Sequence, residues 1–295
     1  MKITRLFKIT EAPKAQIHEL VSLLKNRPEY LIYPKGDTGR LNLKVEDGDP
    51  DVEVFETYCK THGIRFAAYR ARKYSKEEWD TAEFLLMKTE AAIIDPEGTK
   101  YTNEGACPKC GVGWRQVGPL VMPLRKVAKK KIFLIHSKDD WEWVVSDEVV
   151  ELLQGFTGFR LGEMRDSKNP DVPATGFHQL IIENYLPRMA TMTNFVENGW
   201  KRCECNRAGW NLIDEKFYEH TALQNAKDFN LTIERWFGGG TSGVHWAIVS
   251  QKVRQKLKKL CVFDPVHIIE TDPGDKYKFD LPLDAPGCVV EGVNQ

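Results

Sequence analysis

Residues 143–161 read WVVSDEVVELLQGFTGFRL, and residues 247–265 read AIVSQKVRQKLKKLCVFDP. The two runs align without gaps. Val145 matches Val249, Ser146 matches Ser250, Val149 matches Val253, Leu153 matches Leu257 and Phe159 matches Phe263. Each begins with a short β-branched run, WVV or AIV, which favours strand. Serine follows, the residue type that opens helices. Apolar residues then recur at helical spacing, at 149, 152 and 153 and at 253, 257 and 260. A second strand follows, GFRLGEM or VFDPVHII. The expectation is an α+β fold with two similar strand–helix–strand units. Capping alone accounts for Ser146 and Ser250, and no nucleophile elbow surrounds either.

Each unit is preceded by a close pair of cysteines. GACPKCGVGW (105–114) carries Cys107 and Cys110, and KRCECNRAGW (201–210) carries Cys203 and Cys205. Both stretches end in Gly-Trp. A C-x-x-C turn followed by Gly aims two sulfurs at one ion, because Gly permits the tight backbone. Thiolates suit tetrahedral zinc, and four of them leave no position open for water. The expected cofactor is therefore a structural Zn2+ held by Cys107, Cys110, Cys203 and Cys205. C-x-C is the less usual spacing, and the separation of the pairs exceeds that of an ordinary zinc ribbon. The residues between them then form an inserted domain. A redox C-x-x-C normally opens a helix, whereas this one runs into Gly-Val-Gly. Iron fits an all-thiolate tetrahedral site as zinc does. Cys261, between Leu260 and Val262, reads as core. Cys59 and Cys288 receive no role.

The N-terminal third reads as a separate α+β lobe. KAQIHELVSLLKN (14–26) places Ile17, Leu20, Val21 and Leu24 on one helical face. YSKEEWDTAEFLLM (74–87) carries a capping box from Ser75 to Glu78. EAAIIDPEG, KKIFLIH (130–136) and ATGFHQLII (174–182) read as strands. Turn-rich stretches at 95–105 and 165–176 are linker candidates. The division expected is 1–98 for the N-terminal lobe, 99–210 for the zinc-knuckle region with the first repeat, and 211–295 for the second repeat.

Lys plus Arg and Asp plus Glu number 42 each, so the formal charge is zero. That balance argues against a protein that coats nucleic acid. MKITRLFKIT has charges where a signal peptide has an apolar core, and no stretch is apolar enough to cross a membrane. A cytoplasmic protein with reduced thiols is expected. Three further stretches carry no function on their own. DGDPD (47–51) lacks the later ligands of a calcium loop and reads as a solvated turn. FGGGTSGVHW (237–246) matches no phosphate-binding fingerprint and reads as a hairpin loop, the alternative being a partner-contacting loop with His245 and Trp246 at its base. RKVAKKK (125–131) reads as a solvated edge. The seven histidines form no metal-ligating pair. No nucleophile–base constellation is visible, so no catalysis is expected; an enzyme acting through His178 or His245 is the weakest alternative.

On its two cysteine knuckles and the run DFNLTIERWFGGGTSGVHWAIVSQKVRQKL, the chain resembles the bacterial double-CxxCG motif proteins. It is also similar to zinc-ribbon proteins of polymorphic-toxin immunity loci. The match covers residues 105 to 270 and leaves out the N-terminal lobe. It departs at Cys203-Glu204-Cys205-Asn206, where the family has C-x-x-C-G, which puts the ligand set in question. The resemblance implies a cytosolic immunity protein that binds and blocks a toxin without catalysis. A zinc-ribbon nucleic-acid-binding or regulatory protein is the alternative.

Overall fold

The computed structural model describes residues 2–25, 29–46, 48–92, 96–109, 111–138, 140–193, 195–197, 205, 210–212, 215–237 and 243–272. It is an α+β protein made mostly of strands. The chain divides into two compact units, Met1–Glu78 and Trp79–Gln295.

The first unit runs β1 (Lys2–Pro13), α1 (Lys14–Leu23), β2 (Glu29–Lys35), β3 (Thr38–Glu46), α2 (Pro50–Thr61) and β4 (Phe66–Lys73). Its strands form one antiparallel sheet in the order β2-β3-β1-β4, the split-βαβ pattern. Leu41, Leu43 and Val45 of β3 point into the core, while Arg40, Lys44 and Glu46 face solvent. On α1, Ile17 and Leu20 are buried, as the helical spacing predicts, with Leu24 just beyond the helix. The Phe55 ring lies 4.4 Å from that of Phe7 and 5.2 Å from that of Phe66.

In DGDPD, Asp49 to Asp51 are a helix start rather than a solvated turn, and Asp47 lies outside the described residues. The Asp49 carboxylate accepts the Asp51 N–H at 2.9 Å, and Pro50 takes the first helical position. Asp51 is 1% exposed and accepts the Lys25 N–H at 2.9 Å, tying the end of α1 to the start of α2. Asp49→Ala is expected to lower the stability of this unit by about 1 kcal/mol, read as a shift in its urea midpoint.

The division between the units falls within α3 (Lys76–Thr81), and the second unit goes on through β5 (Phe84–Lys88), β6 (Ala91–Ala92), β7 (Lys100–Thr102), β8 (Arg115–Val117), β9 (Leu120–Met122), β10 (Ile132–His136), β11 (Trp141–Ser146), α4 (Asp147–Leu152), β12 (Phe159–Gly162), β13 (Met164–Asp166), β14 (Asn169–Pro173) and β15 (Phe177–Ile182). It continues through β16 (Phe195–Glu197), β17 (Trp210–Leu212), β18 (Phe217–Glu219), β19 (Phe229–Leu231), β20 (Trp236–Phe237), β21 (Gly243–Val244), β22 (Ala247–Ser250), α5 (Gln251–Leu257), β23 (Val262–Pro265) and β24 (His267–Ile269). The capping box forms as expected: Glu78 N–H donates to Ser75 Oγ at 3.1 Å, and Ser75 N–H to Glu78 Oε2 at 2.7 Å. Past Thr81 the chain turns to strand. Phe84 to Met87 are all buried, which calls for a sheet centre with both faces covered.

Two sheets carry the core, in the orders β12-β15-β11-β10-β6 and β19-β22-β5-β23. β5 and β6, grouped with the N-terminal lobe by a division at residue 98, thus pair within the second unit. The repeated segments occupy the same place in each sheet. Val145 opposes Ile132, and Val249 opposes Phe229. Val145, Val149 and Leu153 share one buried cluster with Val249, Val253, Leu257 and Cys261. Ser146 and Ser250 stand at the cap positions, but neither side chain caps its helix. The backbone does this instead: Asp147 N–H donates to Gly176 O at 3.2 Å, and Gln251 N–H to Glu83 O at 2.9 Å. The carbonyl just ahead of a neighbouring strand thus satisfies the exposed helix end in both repeats. Among the described residues, no helix is long and apolar enough to cross a membrane.

Candidate metal centre

Residues 103–114 close the β7–β8 hairpin, in which Thr102 opposes Arg115. Cys107 N–H donates to Val112 O at 2.8 Å, and Gly111 N–H donates to Cys107 O at 2.8 Å. Gly105, Gly111 and Gly113 have φ of 79°, 77° and 112°, a region closed to most side chains. Three glycines of this loop therefore take a backbone that tightens it, and they flank Cys107 and Cys110 in sequence. Val112, 1% exposed, anchors the loop. Cys107 is half-buried, and Cys110 lies outside the described residues.

The second pair falls between two strands that are also paired. β16 and β17 pair antiparallel, with Glu197 opposite Trp210. The connection, 198–209, matches 103–114 in length and contains Cys203 and Cys205. Cys205 is half-buried, and Cys203 lies outside the described residues. Each hairpin then leads into equivalent elements. β9, a 3-10 turn at Leu124–Lys126, β10, β11 and α4 follow the first. β18, a 3-10 turn at His220–Leu223, β19, β22 and α5 follow the second, with β20 and β21 added between β19 and β22.

A chain of contacts links the strands of the two hairpins. Lys138 Nζ sits 3.3 Å from the centre of the Trp114 ring, so the first hairpin rests on the β10–β11 turn. β17 of the second packs on β20 in the β19–β22 connection. Those two connections meet: His245 N–H donates to Asp140 Oδ1 at 3.2 Å, and Arg235 lies 3.6 Å from Asp140. Among the described residues, no three His, Cys, Asp or Glu side chains converge as metal ligands. Two of the four cysteines stand outside that set.

Beside the first hairpin is a polar network that the sequence reading missed. Gln116 and Gln179 exchange two amide bonds of 2.9 Å, and Gln179 Nε2 donates to Glu142 Oε2 at 2.8 Å. Burial raises the Glu142 carboxyl above the usual carboxylate range, against the pull of Gln179 and Ser137. Burial and the nearby Glu142 push the Tyr101 hydroxyl up to about 12. An open cleft of about 710 Å³ lies alongside, with Tyr101, His136, Lys138 and Trp141 in its walls. Glu142 was concealed in WEWVV, where it reads as one polar residue in a strand.

The other tempting groups hold structure together. His178 Nε2 meets Asp147 Oδ1 at 2.7 Å, and His245 Nδ1 meets Thr232 O at 2.7 Å. In the basic run, Lys130 pairs with Glu90 and Lys131 with Glu148, both at 2.6 Å. Trp236 and Phe237 pair with Val244 and Gly243, so the Gly-rich stretch is a hairpin whose residues 238–242 lie outside the description. Asp264 is held between Lys88 and the buried Lys216. Burial lowers Lys216, and although burial alone would raise Asp264, the two lysines hold it down.

Glu234 is 4% exposed and accepts the Met189 N–H at 2.6 Å through Oε1. Its Oε2 and the hydroxyl of Tyr218 are buried without a hydrogen-bond partner among the described residues. Burial raises this carboxyl to about 7, with Arg188 pulling the other way. A carboxyl raised on folding stabilises the fold fully below its unfolded value, and the contribution is lost as pH rises through about 7. The protein is therefore expected to lose about 2–3 kcal/mol between pH 5 and pH 8 from this group. Urea unfolding of Glu234→Gln at both pH values checks this; the variant should show that much less pH dependence.

No family model, curated protein or solved structure matches the chain.

Proposed function

We propose that Cys107, Cys110, Cys203 and Cys205 hold one structural zinc ion, and that the protein is a non-catalytic cytoplasmic binding protein that neutralises a cognate bacterial toxin. The observation that carries the metal reading is the matched pair of hairpins. Two cysteine-bearing segments of equal length each join a pair of antiparallel strands, at equivalent points in the chain ahead of equivalent elements. Thiolate pairs on such turns provide the donor set that tetrahedral zinc takes, and four sulfurs leave it no catalytic water. The ion would then contribute to folding directly.

The antidote reading rests on the resemblance of residues 105–270 to immunity-associated zinc ribbons. The engaged histidines add support, since His178 and His245 are both committed to structural bonds. The paired lysines of the basic run weigh against a nucleic-acid surface.

The test is affinity capture with tagged protein, followed by expression of the captured partner alone and together with this chain. A partner that is toxic alone and harmless in the pair supports the reading. Recovery of nucleic acid, released steeply as salt rises, would overturn it.

A further inference from the structure

The strands that complete the two core sheets come from the wrong halves of the chain. β5 precedes the first repeat in sequence, yet it lies between β22 and β23 in the sheet of the second. β15 precedes the second repeat, yet it lies between β11 and β12 in the sheet of the first. We infer that the second unit is a covalently joined, strand-exchanged dimer. It comprises two copies of one folding module, beginning at Phe84 and Phe177, and each contributes its first strand to the other's sheet.

The register carries this. Phe84 opposes Ser250, and Phe177 opposes Ser146, the two matched serines. The residue before each strand makes the same bond, Glu83 O accepting from Gln251 N–H and Gly176 O from Asp147 N–H. Two residues beyond each strand, the chain returns to its own module. Glu90 O accepts the Leu134 N–H at 3.0 Å, and Asn184 O accepts the Leu231 N–H at 2.7 Å. Ala91 then pairs parallel with Leu134, and Tyr185 pairs parallel with Leu231.

The rest of each module follows in the same order. A cysteine hairpin comes next, then β9 or β18, a 3-10 turn, the β10–β11 or β19–β22 pair, a short helix, β12 or β23, and β13 or β24. Even the parallel pairings recur, β13 beside β9 and β24 beside β18. The outer strands differ in register: Phe159 opposes Ile182, whereas Phe263 opposes Met87. This interval of two residues keeps the same side chains on the same face.

The surface between the modules is therefore an interaction surface whose fitting partner is another copy of the same module. Neither sheet is whole without the other, the arrangement expected of domain swapping between identical partners.

A protease site inserted after Lys168, in the exposed turn between β13 and β14, tests this in the full chain. After cutting, residues 1–168 and 169–295 should elute together at the volume of the uncut chain and separate only in denaturant. The two pieces leaving the column apart, each folded, would overturn the exchange. Lys88→Cys with Val262→Cys, at facing positions of β5 and β23, reports on the strand itself. The oxidised and cut double variant should run as one band on a denaturing gel without reductant and as two bands with it. The same insertion without the added cysteines should give two bands in both lanes. Two bands from the oxidised double variant would place β5 in its own module and reject the proposal.

Discussion

Gly158→Ala is expected to lower the unfolding free energy by about 4 kcal/mol, combining left-handed backbone strain with overpacking. Gly158 has φ of +93°, and a Cβ there would lie 2.1 Å from the carbonyl oxygen of Phe229 and 2.7 Å from Cβ of Lys227. The obstacle is strand backbone, and it cannot retreat. Phe229 N–H donates to Thr157 O at 3.0 Å, while Thr157 N–H and Oγ1 both donate to Asp228 Oδ2 at 3.0 Å. Gly155→Ala is the control. Its φ is +82°, but nothing lies within 4 Å of the added carbon. It should cost only about 1 kcal/mol, the price of the backbone conformation. Urea midpoints of the two variants decide the matter; equal losses would contradict the packing argument.

Cys107→Ser is expected to reduce bound zinc from one ion per chain to almost none and to lower the thermal midpoint by about 10 °C, since metal binding to such a site is folding free energy. A chelator should do the same to the unaltered protein, and added zinc should reverse it. Cys59→Ser provides the comparison. Cys59 is wholly buried in the first unit, and burial pushes its thiol up to about 11. Its replacement should leave the zinc content unchanged. Elemental analysis with a melting curve measures both quantities. Full retention of zinc by Cys107→Ser would remove this residue from the ligand set.

What was legible in the sequence is what local chemistry writes there. The helical spacing of Val149 and Leu153, repeated in Val253 and Leu257, revealed both modules because buried helix faces repeat their own period. The Ser75–Glu78 box was legible because both partners lie within one turn. The glycines of the first knuckle were legible because only they tolerate its backbone. The partner of β5 was not. FLLM is buried on both faces and shows no alternation, so nothing local states that Leu86 pairs with Ile248. The Gln116–Gln179–Glu142 network was hidden for the same reason, since its members come from three strands far apart in the chain. The serines were placed well, but the capping role assigned to them belongs to Gly176 O and Glu83 O, which lie just ahead of other strands. Asp51 shows the limit of composition, because an acidic run looks solvated until a neighbouring helix end is set over it.

The exchange of β5 has a consequence for how the protein is made. Phe84 to Met87 leave the ribosome early, but their partners in β22 and β23 are among the last described segments to be synthesised. At about 5–20 residues added per second, this apolar strand waits on the order of 10 s or more for Ile248 to exist. During that interval it is a sticky, unpaired stretch attached to a first unit that has every residue it needs to fold. Chains stalled in synthesis between Lys88 and Ala247 are therefore expected to aggregate more readily than the finished protein.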